Sequence, residues 1–233
     1  MKRSGGTESA KRHAGEHAAD RVEDGMTVGL GTGSTAAYAI RAIGRAVDAG
    51  LDVTGVATSL QSRALAREVG IPLVALPDVE TVDLAIDGAD QMAGDGAVLI
   101  KGGGAAHARE KVVDAAADRF HVVVDDTKLA DRLDRPVPVE VLPAAREQVA
   151  AAVPTTEGAP QLREATAKDG PIVTDNGNLV LDCDFGAIGD PAALADDLGA
   201  IPGVVEHGLF VGMTDAVHVG TTDGVQVRRP GDE

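Results

Sequence analysis

Thr27-Val28-Gly29-Leu30-Gly31-Thr32-Gly33-Ser34-Thr35-Ala36 runs from a short apolar segment through a glycine-hydroxyl turn into residues with helical spacing. A buried strand, a tight turn and a helix in that order begin a βαβ unit, so the stretch predicts an α/β fold. The turn also fits the dinucleotide pattern G-x-G-x-x-A. That pattern needs an acidic residue about 20 positions on, at the carboxyl end of the second strand. Asp52 stands instead where the second strand begins. Three hydroxyls, from Thr32, Ser34 and Thr35, together with N–H groups at a helix N-terminus, suit one phosphate monoester better than a pyrophosphate. A plain strand-to-helix turn is the competing reading.

Outward from this turn, strands and helices alternate. Upstream, Glu8 to Asp24 reads as a helix with Ala14, Ala18 and Val22 as its apolar stripe. Downstream, strands are expected at Asp52 to Ala57, Pro72 to Ala75, Val82 to Ile86, Ala97 to Ile100 and His121 to Val124, with helices at Ala36 to Ala49, Gln61 to Val69 and Ala105 to Ala117. The alternation predicts a doubly wound, mostly parallel Rossmann-like sheet. After Asp134 a proline-bracketed strand, Arg135 to Pro143, marks a boundary. Beyond it a helix (Ala144 to Ala152), strands at Gln161 to Ala165 and Pro171 to Thr174, a helix (Pro191 to Leu198) and a strand (Gly203 to His207) predict a smaller α+β, ferredoxin-like domain. Asp175-Asn176-Gly177-Asn178 before Leu179-Val180-Leu181 is a tight-hairpin signal. Ala216 to Val219 with Gly224 to Val227 reads as a second hairpin that returns to the first sheet. The expected division is 1–133 with 208–233 as the Rossmann-like domain, and 134–207 as the small one.

The chain has 233 residues, 37 Asp and Glu against 21 Lys and Arg, and a net charge of −16. That field repels nucleic-acid phosphates and anionic membrane surfaces, so neither is an expected partner. An anionic substrate must then be held by local N–H groups and a few lysines. An acidic surface over an aliphatic core, in a chain with 2% aromatic residues, is expected in a salt-rich cytoplasm, where self-repulsion is screened. An ordinary acidic protein is the alternative. Cys183 is the single cysteine and reads as a small buried apolar residue. The N-terminal residues carry no apolar segment, which predicts a cytoplasmic enzyme.

Other polar groups fall at strand exits. Asp87-Gly88-Ala89-Asp90 places two carboxylates about a glycine, able to divide acid and base roles if their surroundings differ. Lys101-Gly102-Gly103-Gly104 combines a lysine with three glycines that allow close approach of backbone to a ligand, and the next helix carries Glu110, a candidate base. Asp125-Asp126-Thr127-Lys128 supplies another lysine, and Lys11 in the first helix can reach the same edge. In open α/β sheets that edge binds ligands. His13-Ala14-Gly15-Glu16-His17 spells the inverted zinc-protease motif, but no third ligand accompanies it.

Gly29-Leu30-Gly31-Thr32-Gly33-Ser34-Thr35, Asp87-Gly88-Ala89-Asp90, Lys101 through Lys111 and Thr174-Asp175-Asn176-Gly177-Asn178 together resemble ribose-5-phosphate isomerase type A in order and spacing. Pro138 to Pro143 and Pro202 to Phe210 extend the resemblance over nearly the whole chain. It implies interconversion of ribose 5-phosphate and ribulose 5-phosphate through an enediol, without cofactor or metal, by a homodimer or homotetramer. By the same resemblance Glu110 shuttles the proton, Asp87 assists ring opening, and Asp90 with Lys101 polarises the reacting oxygens. Thr32, Gly33, Ser34, Thr35, Lys128 and Lys11 hold the phosphate, and Gly88, Ala89, Gly102, Gly103 and Gly104 line the site. Ala106-His107-Ala108-Arg109 departs from the family, which commonly has a leucine and a threonine before the arginine. An aminosugar-phosphate isomerase-deaminase, a coenzyme A transferase-like protein and a non-catalytic sugar-phosphate sensor are the alternatives.

Overall fold

The computed structural model describes residues 6–153, 160–167 and 169–231. Its first part runs α1 (Glu8–Ala19), β1 (Thr27–Leu30), α2 (Ala36–Asp48), β2 (Thr54–Ala57), α3 (Leu60–Glu68), β3 (Leu84–Gly88), β4 (Gln91–Ala93), β5 (Val98–Ile100), α4 (His107–Ala115), β6 (Phe120–Asp125) and β7 (Leu129–Ala130). The rest adds β8 (Val137–Val141), α5 (Arg146–Ala152), β9 (Gln161–Leu162), β10 (Leu179–Cys183), α6 (Pro191–Gly199), β11 (Val204–His207), β12 (Leu209–Val211), β13 (Ala216–Gly220) and β14 (Val225–Arg228).

Six strands form the main sheet in the order β2-β1-β3-β6-β13-β14, all parallel except the edge strand β14. The mixed α/β architecture with a mostly parallel central sheet is the one expected. The order 2-1-3 puts a switch of winding direction between β1 and β3, and the crevice beyond their carboxyl ends is where such sheets receive ligands. One core joins Ala14 and Ala18 of α1 and Ala39, Ile40 and Ile43 of α2 to Val28, Leu30 and Ile86 of the sheet. Another packs Ala85, Phe120, Val122 and Val217 against Met92, Leu99 and Phe210. Among the described residues no helix is long and apolar enough to cross a membrane.

Ala97 to Ile100 departs from the expectation. Val98–Ile100 pairs antiparallel with β4 and β12 in a separate sheet of order β12-β5-β4-β7. No helix lies between β3 and β5, and a parallel neighbour needs a long crossover, so the chain folds back as a hairpin instead. Pro72 to Ala75 is not a strand either. Only Leu73 bridges, to Gly55, because Pro72 lacks a donor and Pro77 opens a short 3₁₀ turn at Leu76–Asp78. The first helix stops at Ala19, where Arg21 and Val22 bond to carbonyls three residues back, although Val22 still packs on the core. Ala105 adopts φ 58°, so α4 starts at His107 rather than Ala105.

Four antiparallel strands in the order β11-β8-β10-β9 make the second sheet, with α5 and α6 packed on it through Val149, Leu198, Val139 and Leu181. Cys183 is buried in this core. The Asn-Gly hairpin forms as expected: Gly177 sits at φ 85°, its N–H bonds to the Thr174 carbonyl, and Thr174 N–H bonds to that of Asn178. Only Pro171 and Val173 of the preceding segment bridge to partners, so that arm is not a continuous strand. The closing hairpin β13–β14 returns to the main sheet beside β6.

Beneath α1 three histidines are linked. His17 Nδ1 lies 2.8 Å from His218 Nδ1, and His218 Nε2 lies 3.2 Å from His121 Nδ1. His13 bonds instead to the Thr221 carbonyl, and Glu16 to Arg45, so the three polar members of the zinc-like motif have separate partners. Burial pushes His218 down to about 3 and His121 to about 4. Both are therefore neutral in the fold where an unfolded histidine, near 6.5, takes up a proton. Their contribution is fully present above about pH 6.5 and is lost as pH falls towards 4 and 3, because the unfolded chain binds more protons. Denaturant unfolding between pH 7.5 and 4.5 should show stability falling below about 6.5, with a shallower slope for His218→Phe. Parallel slopes would place the acid sensitivity elsewhere.

Candidate functional site

Hydrogen bonding and sterics fix the turn that follows β1. Gly31 N–H bonds to the Ile86 carbonyl, and a Cβ on Gly31 would stand 2.3 Å from the Asp87 carboxyl carbon. Glycine is the residue that lets Asp87 lie this close. Asp87 Oδ1 accepts from Thr32 N–H at 2.9 Å and from Gly88 N–H at 2.6 Å. Gly33 takes φ 111° and Thr35 begins α2 without a side-chain cap; Ala37 and Tyr38 N–H bond back to the Gly33 and Thr35 carbonyls, so it is the turn ahead of them that faces the cleft.

One narrow cleft collects nearly every candidate. Thr32, Gly33, Ser34 and Thr35 line one wall, Gly88, Ala89 and Asp90 a second, and Lys101, Gly102, Gly103, Gly104 and Glu110 a third, with Lys128 alongside. The sequence missed one partner of the turn. Thr32 Oγ1 donates to Ser59 Oγ at 2.7 Å and meets Thr58 Oγ1 at 2.9 Å, so of the three expected hydroxyls those of Ser34 and Thr35 hold no partner among the described residues. Asp87 has no exposed surface and lies behind the cleft wall. Lys11 is buried on α1 outside the lining, close enough to oppose the charge of Lys128. A larger apolar groove of about 590 Å³ on the outer side of α4 contains none of the carboxylate-lysine cluster.

Lys101 is the centre of that cluster, with 1% of its surface exposed. Its ammonium donates to the Gly88 carbonyl at 2.6 Å and pairs with Asp87 Oδ2 at 2.9 Å, Glu110 Oε2 at 3.4 Å and Asp114 Oδ2 at 3.8 Å. The rings of Phe120 and Phe210 flank it. Burial opposes its charge, but the carboxylates of Asp87, Glu110 and Asp114 outweigh burial and raise its pKa. Glu110 is pushed up to about 8, first by burial and then by the charge of Asp87, with Lys101 opposing both. Lys128 is lowered, by burial and then by Arg135.

Asp90 accepts from Gly103 N–H at 2.6 Å, and a Cβ on Gly103 would meet that carboxylate at 2.6 Å. Lys101 reaches the cleft from the antiparallel sheet, its N–H bonded to the Gly208 carbonyl. His107, one of the departures in α4, is fully buried and packs on Gly102, where a Cβ would lie 2.7 Å from its Nδ1. Burial lowers it to about 3, so it is a neutral packing group.

The small sheet braces this loop. Arg163 forms a two-pronged pair with Asp182 and donates to the Gly102 carbonyl at 2.7 Å. Buried Glu140 gathers Thr174, Asn176 and Asn178 through one oxygen, and Arg109, beside Glu110, bonds to Asn176 and to the Asp175 carbonyl. Asp114, Ser59, Glu140 and Arg163 were not singled out from sequence. Only Asp114 carried a local signal, its four-residue spacing from Glu110.

A family model described as ribose 5-phosphate isomerase A (phosphoriboisomerase A) matches residues 54–224. A ribose-5-phosphate isomerase A of Haloarcula marismortui is 70% identical over 226 residues, spanning 97% of this chain and 98% of the relative. One of Halobacterium salinarum is 58% identical over 231 residues, 99% and 100% of the two chains. The ribose 5-phosphate isomerase A structure from Methanocaldococcus jannaschii is similar with a TM-score of 0.91 at 43% identity, covering 96% of this chain and all of that one. A D-ribose-5-phosphate isomerase in complex with phospho-erythronic acid gives a TM-score of 0.92 at 41% identity, covering 97% and 100%.

The two glycine roles separate in a mutational test. Gly31→Ala forces Asp87 aside and should destabilise by about 1–3 kcal/mol, the usual cost of overpacking. Gly104→Ala, whose Cβ meets only Thr32 Cγ2 at 3.6 Å, should leave stability nearly unchanged. Thermal unfolding of both variants checks this, and equal midpoints would contradict the steric account.

Proposed function

Since this chain belongs to the ribose 5-phosphate isomerase A family and interconverts ribose 5-phosphate with ribulose 5-phosphate, we propose that the proton passes between C2 and C1 through an enediol, with Glu110 as its carrier. The observation that carries this reading is the 3.4 Å approach of Glu110 to Lys101 in the cleft that the anion-binding turn also lines. The turn residues Gly33, Ser34 and Thr35, with Thr32 behind them holding Asp87 through its N–H, anchor the phosphate, and Lys128 with Lys11 supplies positive charge. Glu110 removes the C2 proton from the open-chain aldose and returns it to C1, while the hydroxyl proton passes from O2 to O1, so that the carbonyl ends at C2 and the alcohol at C1. Lys101 stabilises the negative charge that develops on the oxygens meanwhile. Asp90, on the cleft wall, faces the ring and hydroxyl oxygens.

Ring opening by direct contact with Asp87 would need a carboxylate that substrate can reach. Its burial instead assigns Asp87 the holding of Lys101 and of the turn, with ring opening passing to Asp90. The reaction conserves oxidation state within one molecule, which supports a cycle without a redox cofactor. A phosphorylated erythronic acid bound by a relative supports the enediol too, because a planar carboxylate beside a hydroxylated carbon resembles an O1–O2 enediolate. The two-domain division at 133/134 and 207/208, assembly as a homodimer or homotetramer, and a cytoplasmic location complete the proposal.

As a base Glu110 must be ionised, so kcat/KM should rise with pH through a limb near 8 in the free enzyme. Glu110→Gln should lower kcat by about 10² to 10⁴-fold with the fold intact, and chelator should leave wild-type turnover unchanged. An unimpaired variant, or turnover abolished by chelator, would overturn the mechanism. The relatives of halophilic archaea and the charge of −16 further support salt-dependent activity. Turnover should rise from low salt towards about 1 M, where the Debye length is about 3 Å. Full activity without added salt would exclude that dependence.

A further inference from the structure

Asp114 stands four residues after Glu110 on α4, so the two side chains leave the helix on the same face. A carboxylate at such a position ordinarily reaches water. Asp114 is 2% exposed, and neither of its carboxyl oxygens has a hydrogen-bond partner. Its nearest cation is Lys101, 3.8 Å from Oδ2.

The donors of Lys101 can be counted. An ammonium has three N–H groups. One donates to the Gly88 carbonyl, and Asp87 at 2.9 Å, Glu110 at 3.4 Å and Asp114 at 3.8 Å compete as ion-pair partners for the other two. Charge is equally constrained. If Asp87, Glu110 and Asp114 were all ionised around a single lysine, two net negative charges would sit in a nearly dry space next to a phosphate site. Asp90, from the turn after β3, adds its field to Glu110, while Phe120 and Phe210 bring rings and no countercharge. Buried clusters of this kind retain a proton.

We propose that Asp114 is a positioning residue that keeps its proton when Glu110 gives up its own, so that Glu110 becomes the ionised base while the site stays neutral enough to admit a phosphate. The proposal rests on the reading of Glu110 as base. It places the proton on the carboxyl behind Lys101, farther from the cleft, and the carbonyl oxygen of the protonated acid still faces the ammonium. Burial raises both carboxyls, and the charges of Asp87 and Glu110 raise Asp114 further. Asp114 acts on the reaction only through Lys101 and Glu110.

The test compares wild type, Asp114→Asn and Asp114→Ser across pH, reading KM for ribose 5-phosphate separately from kcat. Near neutrality Asp114→Asn, a neutral isostere, should keep more of the wild-type rate than Asp114→Ser, which no longer fills the space behind Lys101. On the alkaline side wild-type KM should rise as Asp114 ionises, and in Asp114→Asn that rise should move up by about one pH unit or more. Coincident KM profiles would overturn the proposal. If neither variant folds, infrared spectroscopy of the wild-type and Glu110→Gln enzymes decides: a protonated-carboxyl band that persists in Glu110→Gln at neutral pH supports it, and loss of all such absorption overturns it. Glu110→Gln turnover separates the two levels. An active Glu110→Gln enzyme rejects the base itself, whereas an inactive one with coincident Asp114 profiles rejects only the role of Asp114.

Discussion

Lys101 holds a positive charge almost entirely out of water, and three parts of the chain must agree for it to stay there. β3 supplies the Gly88 carbonyl and the Asp87 carboxylate, α4 supplies Glu110 and Asp114, and the antiparallel sheet delivers the lysine itself through β5. Desolvating an ammonium costs several kcal/mol, and removing one partner from a buried pair costs about 3–5 kcal/mol. The position of each carboxylate is therefore dictated by the same charge that the reaction uses. An ion pair that contributes little net stability still fixes geometry, because any displacement leaves a buried charge uncompensated.

Much of the surrounding architecture serves that centre. Gly31 gives Asp87 its place, and Gly103 gives Asp90 its place, in each case by omitting a side chain that would strike the carboxylate. The small antiparallel sheet β11-β8-β10-β9 contributes no residue to the cleft lining. Its Arg163, anchored on Asp182, grips the Gly102 carbonyl, and its hairpin, organised on Glu140, holds Arg109 next to Glu110. Lys111 ties α4 to the same sheet through Glu206 and the His207 carbonyl. A sheet outside the cleft lining thus holds the register of the helix that carries Glu110.

The legibility of this arrangement in sequence follows the range of the interactions. Gly31 to Thr35 could be read because a strand, a turn and a helix N-terminus are local in sequence, as were the Asn-Gly hairpin and the apolar stripe of α1. Lys101 could be read as a site residue, but not the sheet that carries it. β4, β7 and β12 have three or fewer residues each and gain their identity only by pairing. Thr32 looked like a free hydroxyl because Thr58 and Ser59 lie on a different βα turn, 26 and 27 residues away. Asp114 could not be told from a solvated helix carboxylate, since nothing in Asp114-Ala115-Ala116-Ala117 announces that Lys101 and two phenylalanines close over that face.

The same distinction between local and global applies to charge. An acidic molecule repels a sugar phosphate at long range, and molar salt shortens that repulsion to about 3 Å. Contacts inside the cleft are screened much less, because the N–H groups of the turn work at hydrogen-bond distance and the buried Lys101 charge acts across a site with little water. Salt therefore removes the unfavourable field while sparing the favourable one. A chain can carry −16 on its surface and still bind an anion, provided that its few useful cations are buried or aimed at one cleft. Lys101 is the more deeply buried of them, and its fourfold environment is what keeps it charged.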